Sequence, residues 1–191
     1  MIVLASQSPR RAALLTAAGY AFEMLPSDVD ETVLPGETPE AHVARLAETK
    51  ARAGLARRPD AVVLGADTVV VLDGRILGKP ADDDEARGVL AALSGRAHEV
   101  LTGVAVADGA GVRGAVARTQ VWFATLSPAE VAAYVASGEH RDKAGAYGIQ
   151  GRASCFVERI DGSYSNVVGL PVALVYRLLG PPGGRDGDET T

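Results

Sequence analysis

Residues 61–72 read AVVLGADTVVVL, and the acid in the middle constrains this chain more than any other feature. Val62-Val63-Leu64 on one side and Val69-Val70-Val71 on the other put the backbone of Asp67 in a mostly buried element. An ionised carboxylate buried without a partner costs several kcal/mol. The fold must therefore let Asp67 cap a turn, pair it with an arginine, or open a cleft where it binds metal or accepts a proton. Hard cations such as Mg²⁺ and Mn²⁺ suit such oxygen ligands and bridge to substrate phosphates.

The amino terminus poses a second constraint. Ile2-Val3-Leu4-Ala5 reads as a buried strand, and Pro9-Arg10-Arg11-Ala12-Ala13-Leu14-Leu15 as a helix opening behind a Ser8 cap. Cations in a first helical turn are disfavoured by about 0.3–1 kcal/mol each, yet Arg10 and Arg11 both stand there. Either they are solvated surface residues, or free N–H groups, Ser6 and two guanidinium groups make an anion site, with phosphate the natural anion. Lys50 and Lys79 add two candidate cations, and Glu31, in the acidic loop Ser27-Asp28-Val29-Asp30-Glu31, a second candidate carboxylate.

The rest of the chain alternates strand and helix patterns, which predicts α/β or α+β architecture. Tyr20-Phe22-Met24 forms a short strand, and Thr38 caps a long helix with the polar stripe His42, Arg45, Thr49, Arg52. Lys50 falls on its apolar face, where helix geometry favours snorkelling along the core edge over pointing into a cleft. Asp73-Gly74 signals a hairpin, Asp82 through Glu85 has capping-box spacing before the helix 86–93, and Gly78-Lys79-Pro80 forms a fixed loop. Strands follow around 99–107 and 113–125, then a capping box at Ser127-Pro128-Ala129-Glu130, and a glycine-punctuated loop over 138–151. A strand near 155–160 and a last helix from Leu170-Pro171 to about Gly180 complete one domain over 1–180; the Gly/Pro-rich tail 181–191 reads as disordered.

With 47% hydrophobic and 23% charged residues the composition is that of an ordinary globular chain, and a net charge of −5 argues against nucleic acid or anionic membranes as partners. The single cysteine, Cys155, on an expected strand, reads as a packing residue in a reducing compartment, and no 18-residue apolar run exists. The expected location is cytoplasmic. No GxxxxGK(S/T) or GxSxG motif is present, so neither a P-loop nor a serine hydrolase is supported, and His42, His98 and His140 read as structural or solvated.

Taken in order, Ser6-Gln7-Ser8-Pro9-Arg10-Arg11, Asp28-Val29-Asp30-Glu31, Arg45-Leu46-Ala47 with Lys50, Gly65-Ala66-Asp67-Thr68, Gly78-Lys79-Pro80 and the segment His98 to Val104 resemble the Maf family of nucleoside triphosphate pyrophosphatases. The resemblance covers Ile2 to about Leu179. It implies a mixed twisted sheet with flanking helices, two lobes around a central cleft as in inosine triphosphate pyrophosphatases, and a homodimer. It further implies hydrolysis of a nucleoside triphosphate to monophosphate and pyrophosphate with a divalent metal, Mg²⁺ or Mn²⁺. Asp67 would then be the proton acceptor, and Arg10, Thr68 and Gln150 would set substrate choice. Ser6, Arg11, Glu31, Lys50 and Lys79 would line the same pocket, with Asp67 and Glu31 holding the metal.

The segment Lys143 to Gly151 resembles the dTTP/UTP subgroup. The Gln150 amide offers a donor and an acceptor that match the O4/N3–H edge of thymine or uracil and mismatch cytosine. His140 stands where that family commonly has proline, an expected change in loop stiffness only. The alternatives are 7-methylguanosine triphosphate specificity, or a nucleotide-binding regulator of septum formation without significant turnover.

Overall fold

The computed structural model describes residues 1–183. Its frame is a seven-stranded mixed sheet. β1 (Ile2–Leu4) pairs in parallel with β2 (Phe22–Met24) and with β3 (Val62–Leu72). Parallel neighbours need long crossovers, and these are α1 (Pro9–Ala17) and α2 (Pro39–Arg57). Beyond β3 the sheet turns antiparallel through β5 (Ala97–Asp108), β6 (Gly111–Phe123) and β7 (Val157–Asp161). The short β4 (Arg75–Leu77) folds back on β3 at the expected hairpin, where Asp73 (φ 50°) and Gly74 (φ 76°) take the two left-handed positions of the turn.

The caps follow the sequence closely. Ser8 accepts from the Arg11 N–H at 3.4 Å, Thr38 from Ala41 at 3.2 Å, and Ser127 with Glu130 closes a reciprocal box at α4 (Pro128–Ala136). At α3 (Asp83–Leu93), Asp82 caps Asp84 and Glu85, but the Glu85 carboxylate accepts from Ala81 instead of closing the box. Two main apolar clusters share the long strands. One gathers α3, α4 and the loop around Tyr147 about Val70, Val100 and Phe123. The other packs Leu15 of α1 and Leu174 of α6 (Val172–Leu179) on Leu4, Leu64 and Val106.

α2 lies unusually close to the sheet because two strand glycines face it. A Cβ on Gly65 would meet the Ala47 carbonyl oxygen at 2.2 Å, and one on Gly103 the Val43 carbonyl oxygen at 2.1 Å. Both obstacles are backbone and cannot rotate away. Gly65→Ala is expected to lever α2 off β3 and cost about 2 kcal/mol or more. Chemical denaturation measures the loss; an unchanged midpoint contradicts this packing.

Some expectations give way. Cys155 is exposed, not packed: residues Arg152–Phe156 form a 3₁₀ turn, which points Phe156 inward and Cys155 outward, and the strand starts only at Val157. His42, placed on the polar stripe, is buried, its Nδ1 3.0 Å from Glu37. A five-residue helix α5 (Tyr164–Val168) precedes α6. The expected disordered tail lies, from residue 184 on, outside the described residues; 181–183 form a turn that sets Pro182 beside Gly19.

Candidate active site

A cleft of about 1220 Å³ opens beside the first of the two apolar clusters, bordered by its Val70, Val100 and Tyr147, and its walls include all nine residues singled out in the sequence: Ser6, Arg10, Arg11, Glu31, Lys50, Asp67, Thr68, Lys79 and Gln150. Asp67 sits mid-strand on β3 opposite Gly103 of β5, 8% exposed. Its partner is a lysine, not an arginine. Lys50 places Nζ 2.7 Å from Asp67 Oδ1 and 2.6 Å from Glu31 Oε1. The expected snorkelling is therefore overturned. Helix periodicity pointed Lys50 at the sheet, and the glycine-lined approach of α2 lets the ammonium end on a carboxylate inside it.

Glu31 reaches this point from the acidic loop. Burial works to raise its pKa, but the hydrogen bond and charge of Lys50 outweigh it and hold the carboxyl below its ordinary value. The loop is tethered beside it: Arg45 bonds Glu37 through Nε at 2.6 Å, and its Nη2 donates to the Thr32 carbonyl at 3.0 Å. Asp67 lines the cleft, and its Oδ2 makes no hydrogen bond with a described residue.

The two arginines divide their work. Arg11 turns inward and spends four N–H groups on the protein: Nε to the Gly169 carbonyl (2.8 Å), Nη1 to Ala66 O (2.9 Å) and Ser6 Oγ (3.2 Å), and Nη2 to Thr68 Oγ1 (3.0 Å). Five donors exist on a guanidinium, so one Nη2 hydrogen has no acceptor among the described residues. Burial lowers the Arg11 pKa while the Asp67 charge opposes the change. Thr68 extends the network to Thr102 Oγ1 at 2.9 Å, and buried Asn166 secures α5, donating to Val100 O and Thr119 Oγ1 at 3.0 Å each. Arg10, one residue earlier, forms no hydrogen bond or ion pair among the described residues and lines the cleft.

Gln150 is exposed on the loop after α4, which is pinned in several places. Gly145 N–H donates to Gly78 O at 3.0 Å, tying the loop to the one bearing Lys79. Tyr147 Oη meets His98 Nε2 at 2.8 Å inside an aromatic cluster with Phe123. Burial pushes the His98 pKa down to about 4, so its imidazole is a neutral structural partner near pH 7. Gly148 N–H donates to Tyr134 Oη at 3.3 Å, and Arg152 N–H to Glu139 at 2.8 Å.

Sequence reasoning missed Asn166 and Gly169, which lie in none of the quoted motifs, and gave no role to Thr102, which lies within the His98 to Val104 block. It also passed over Lys143, quoted within the Gln150 segment but assigned no role. His140, which expectation tied to loop stiffness, is buried with Nε2 3.1 Å from Asp83, so it anchors the loop to α3.

A model of the family described as Maf-like protein matches residues 1–181. This chain belongs to the Maf family. It is 51% identical over 179 residues to the dTTP/UTP pyrophosphatase of Yersinia pestis bv. Antiqua (strain Antiqua), covering 93% of this chain and 91% of that one. It is 55% identical over 182 residues to the dTTP/UTP pyrophosphatase of Anaeromyxobacter dehalogenans strain 2CP-1, covering 93% and 92%. Among solved structures it is similar to a nucleoside-triphosphatase / dITP/XTP pyrophosphatase from Mycobacterium abscessus, at 18% identity and TM-score 0.43, over 65% of this chain and 75% of that one. Among the described residues, no helix is long and apolar enough to cross a membrane.

Proposed function

We propose that this chain hydrolyses dTTP and UTP to the monophosphate and pyrophosphate, with Asp67 as the proton acceptor. The observation that carries the reading is the meeting, in one cleft, of a buried acid with cations from distant segments. A pure binding site has no need of an acid beside a polyanion, since the charge repels the ligand. The relatives named above, identical at half of all positions, support the same substrate pair.

Water attacks the α-phosphorus as Asp67 Oδ2 takes its proton; the bond from the α-phosphorus to the bridging oxygen breaks, and pyrophosphate leaves. Lys50 fixes the Asp67 rotamer through Oδ1, while Arg10, Lys79 and the free hydrogen of Arg11 neutralise phosphate oxygens. Positioning and charge compensation do most of the catalytic work in such transfers.

A divalent cation fits the donor set. The Asp67 and Glu31 carboxylates converge on one cationic centre, the Lys50 ammonium, and are hard oxygen ligands. Among the described residues no group of three or more His, Cys, Asp or Glu side chains is placed to hold a metal ion, so the protein would offer a Mg²⁺ or Mn²⁺ ion no more than these two carboxylates. Asp67 and Glu31 would hold it; when bound, such an ion offsets phosphate charge and acidifies coordinated water. A homodimer in the cytoplasm belongs to the same proposal.

A panel of dTTP, UTP, CTP and 7-methylguanosine triphosphate, with products separated by chromatography, tests the reading. Turnover of the first two to monophosphate and pyrophosphate is expected; binding without turnover defeats it. Gln150→Ala is expected to narrow the preference for dTTP and UTP over CTP by roughly tenfold, as loss of a paired base edge does, while leaving pyrophosphate inhibition unchanged. Equal losses on all three nucleotides would remove Gln150 from base reading.

A further inference from the structure

Lys143 stands at the head of the loop that carries Gln150 and lines the same cleft as Arg10 and Asp67. Its stem lies across Gly148, where a Cβ would meet Lys143 Cε at 2.7 Å and Cδ at 2.9 Å. The glycine thus leaves room for the lysine to lie flat along its own loop. The ammonium is underused. Its one hydrogen bond is a long one, Nζ to the Arg141 carbonyl at 3.4 Å, and it forms no salt bridge with a described residue. Burial presses its pKa down, and so does the charge of Arg10 from the opposite chain segment, against the weaker pull of Glu139 and Asp142.

Arg10, then, is a cation without an ion-pair partner among the described residues, and Lys143 is a second one lining the same cleft. The Gly145–Gly78 hydrogen bond stitches the loop beside Lys79, a third. The cleft also holds carboxylates, but Arg10, Lys79 and Lys143 have no salt bridge with a described residue, so a multiply charged anion is the complement these three cations lack. A triphosphate tail is such an anion; a nucleobase is not.

We propose that Lys143 is a polyphosphate-binding residue, gripping with Arg10 the portion of the substrate that leaves as pyrophosphate. The loop that reads the base then also closes on the phosphates, so that a matched base and a held leaving group report through one segment. The proposal rests on the pyrophosphatase reading, and the test separates the two by using products as probes.

Inorganic pyrophosphate and thymidine monophosphate are titrated separately, by calorimetry with Mg²⁺ present, into the intact wild-type chain, Lys143→Gln and Lys143→Arg, each checked by thermal melting. Lys143→Gln is expected to weaken pyrophosphate about tenfold or more, as loss of a charge-assisted bond does, to leave thymidine monophosphate within about twofold, and to be largely rescued in Lys143→Arg. Unchanged pyrophosphate affinity in Lys143→Gln overturns the proposal, as does an equal loss for both probes or a wild-type chain that binds no pyrophosphate. A chain that binds pyrophosphate through Lys143 yet turns over no dTTP would sink the pyrophosphatase reading and leave Lys143 in place.

Discussion

Asp67→Asn is expected to lower kcat on dTTP by about 10²–10⁴-fold, the usual contribution of a positioned general base. The variant should still fold, because the Asn carbonyl can accept from Lys50 Nζ and Glu31 continues to pair that ammonium at 2.6 Å. A stability loss of about 1–2 kcal/mol covers the weaker hydrogen bond. In metal-free buffer, binding of a non-hydrolysable dTTP analogue is expected to hold or tighten, since a negative charge beside the phosphates is gone. Steady-state kinetics and calorimetry on the same preparation separate the two effects. Turnover near the wild-type rate would remove Asp67 from the chemistry, and a joint collapse of binding and folding would make it a structural ion pair instead.

Arg11→Ala is expected to act on stability first. Its guanidinium joins Gly169, Ala66, Ser6 and Thr68, and so ties α1 to β3 and to the turn after α5. Removing it strands buried acceptors and leaves a cavity, at a cost of about 3 kcal/mol or more. For a chain of this size that lowers the melting temperature by roughly 6–12 °C. Arg11→Lys should recover little, because an ammonium cannot span the fork. Arg10→Ala is the internal control: with no partner to lose, it should stay within about 0.5 kcal/mol of wild type while raising KM for the triphosphate. Equal destabilisation by the two alanine substitutions would contradict the division of labour between these neighbours.

The helix starts were legible because a cap is a local event: Ser8, Thr38 and Ser127 need only their own next three residues. The Asp73-Gly74 hairpin was legible for the same reason. Seven of the nine cleft residues, Ser6, Arg10, Arg11, Glu31, Lys50, Asp67 and Lys79, stood out by residue type, and the family resemblance added Thr68 and Gln150 and supplied the grouping. Their roles inside the cleft were not readable. Arg10 and Arg11 are adjacent and chemically alike, and only the path of the chain 158 residues later brings the Gly169 carbonyl to one of them. Lys50 was misjudged because periodicity reports which face of a helix is buried and says nothing about what it meets. That answer lies in Gly65 and Gly103, whose missing side chains set the distance between α2 and the sheet. Cys155 was misjudged because a short apolar run reads alike as strand or 3₁₀ turn.

Hydrolysis of dTTP in water labelled with heavy oxygen tests the central claim most directly, because the label marks the phosphorus that is attacked. Mass spectrometry of the products should find it in thymidine monophosphate and not in pyrophosphate, as attack at the α-phosphorus beside Asp67 requires. Label in pyrophosphate, or release of orthophosphate with thymidine diphosphate, would place the attack elsewhere and contradict the account.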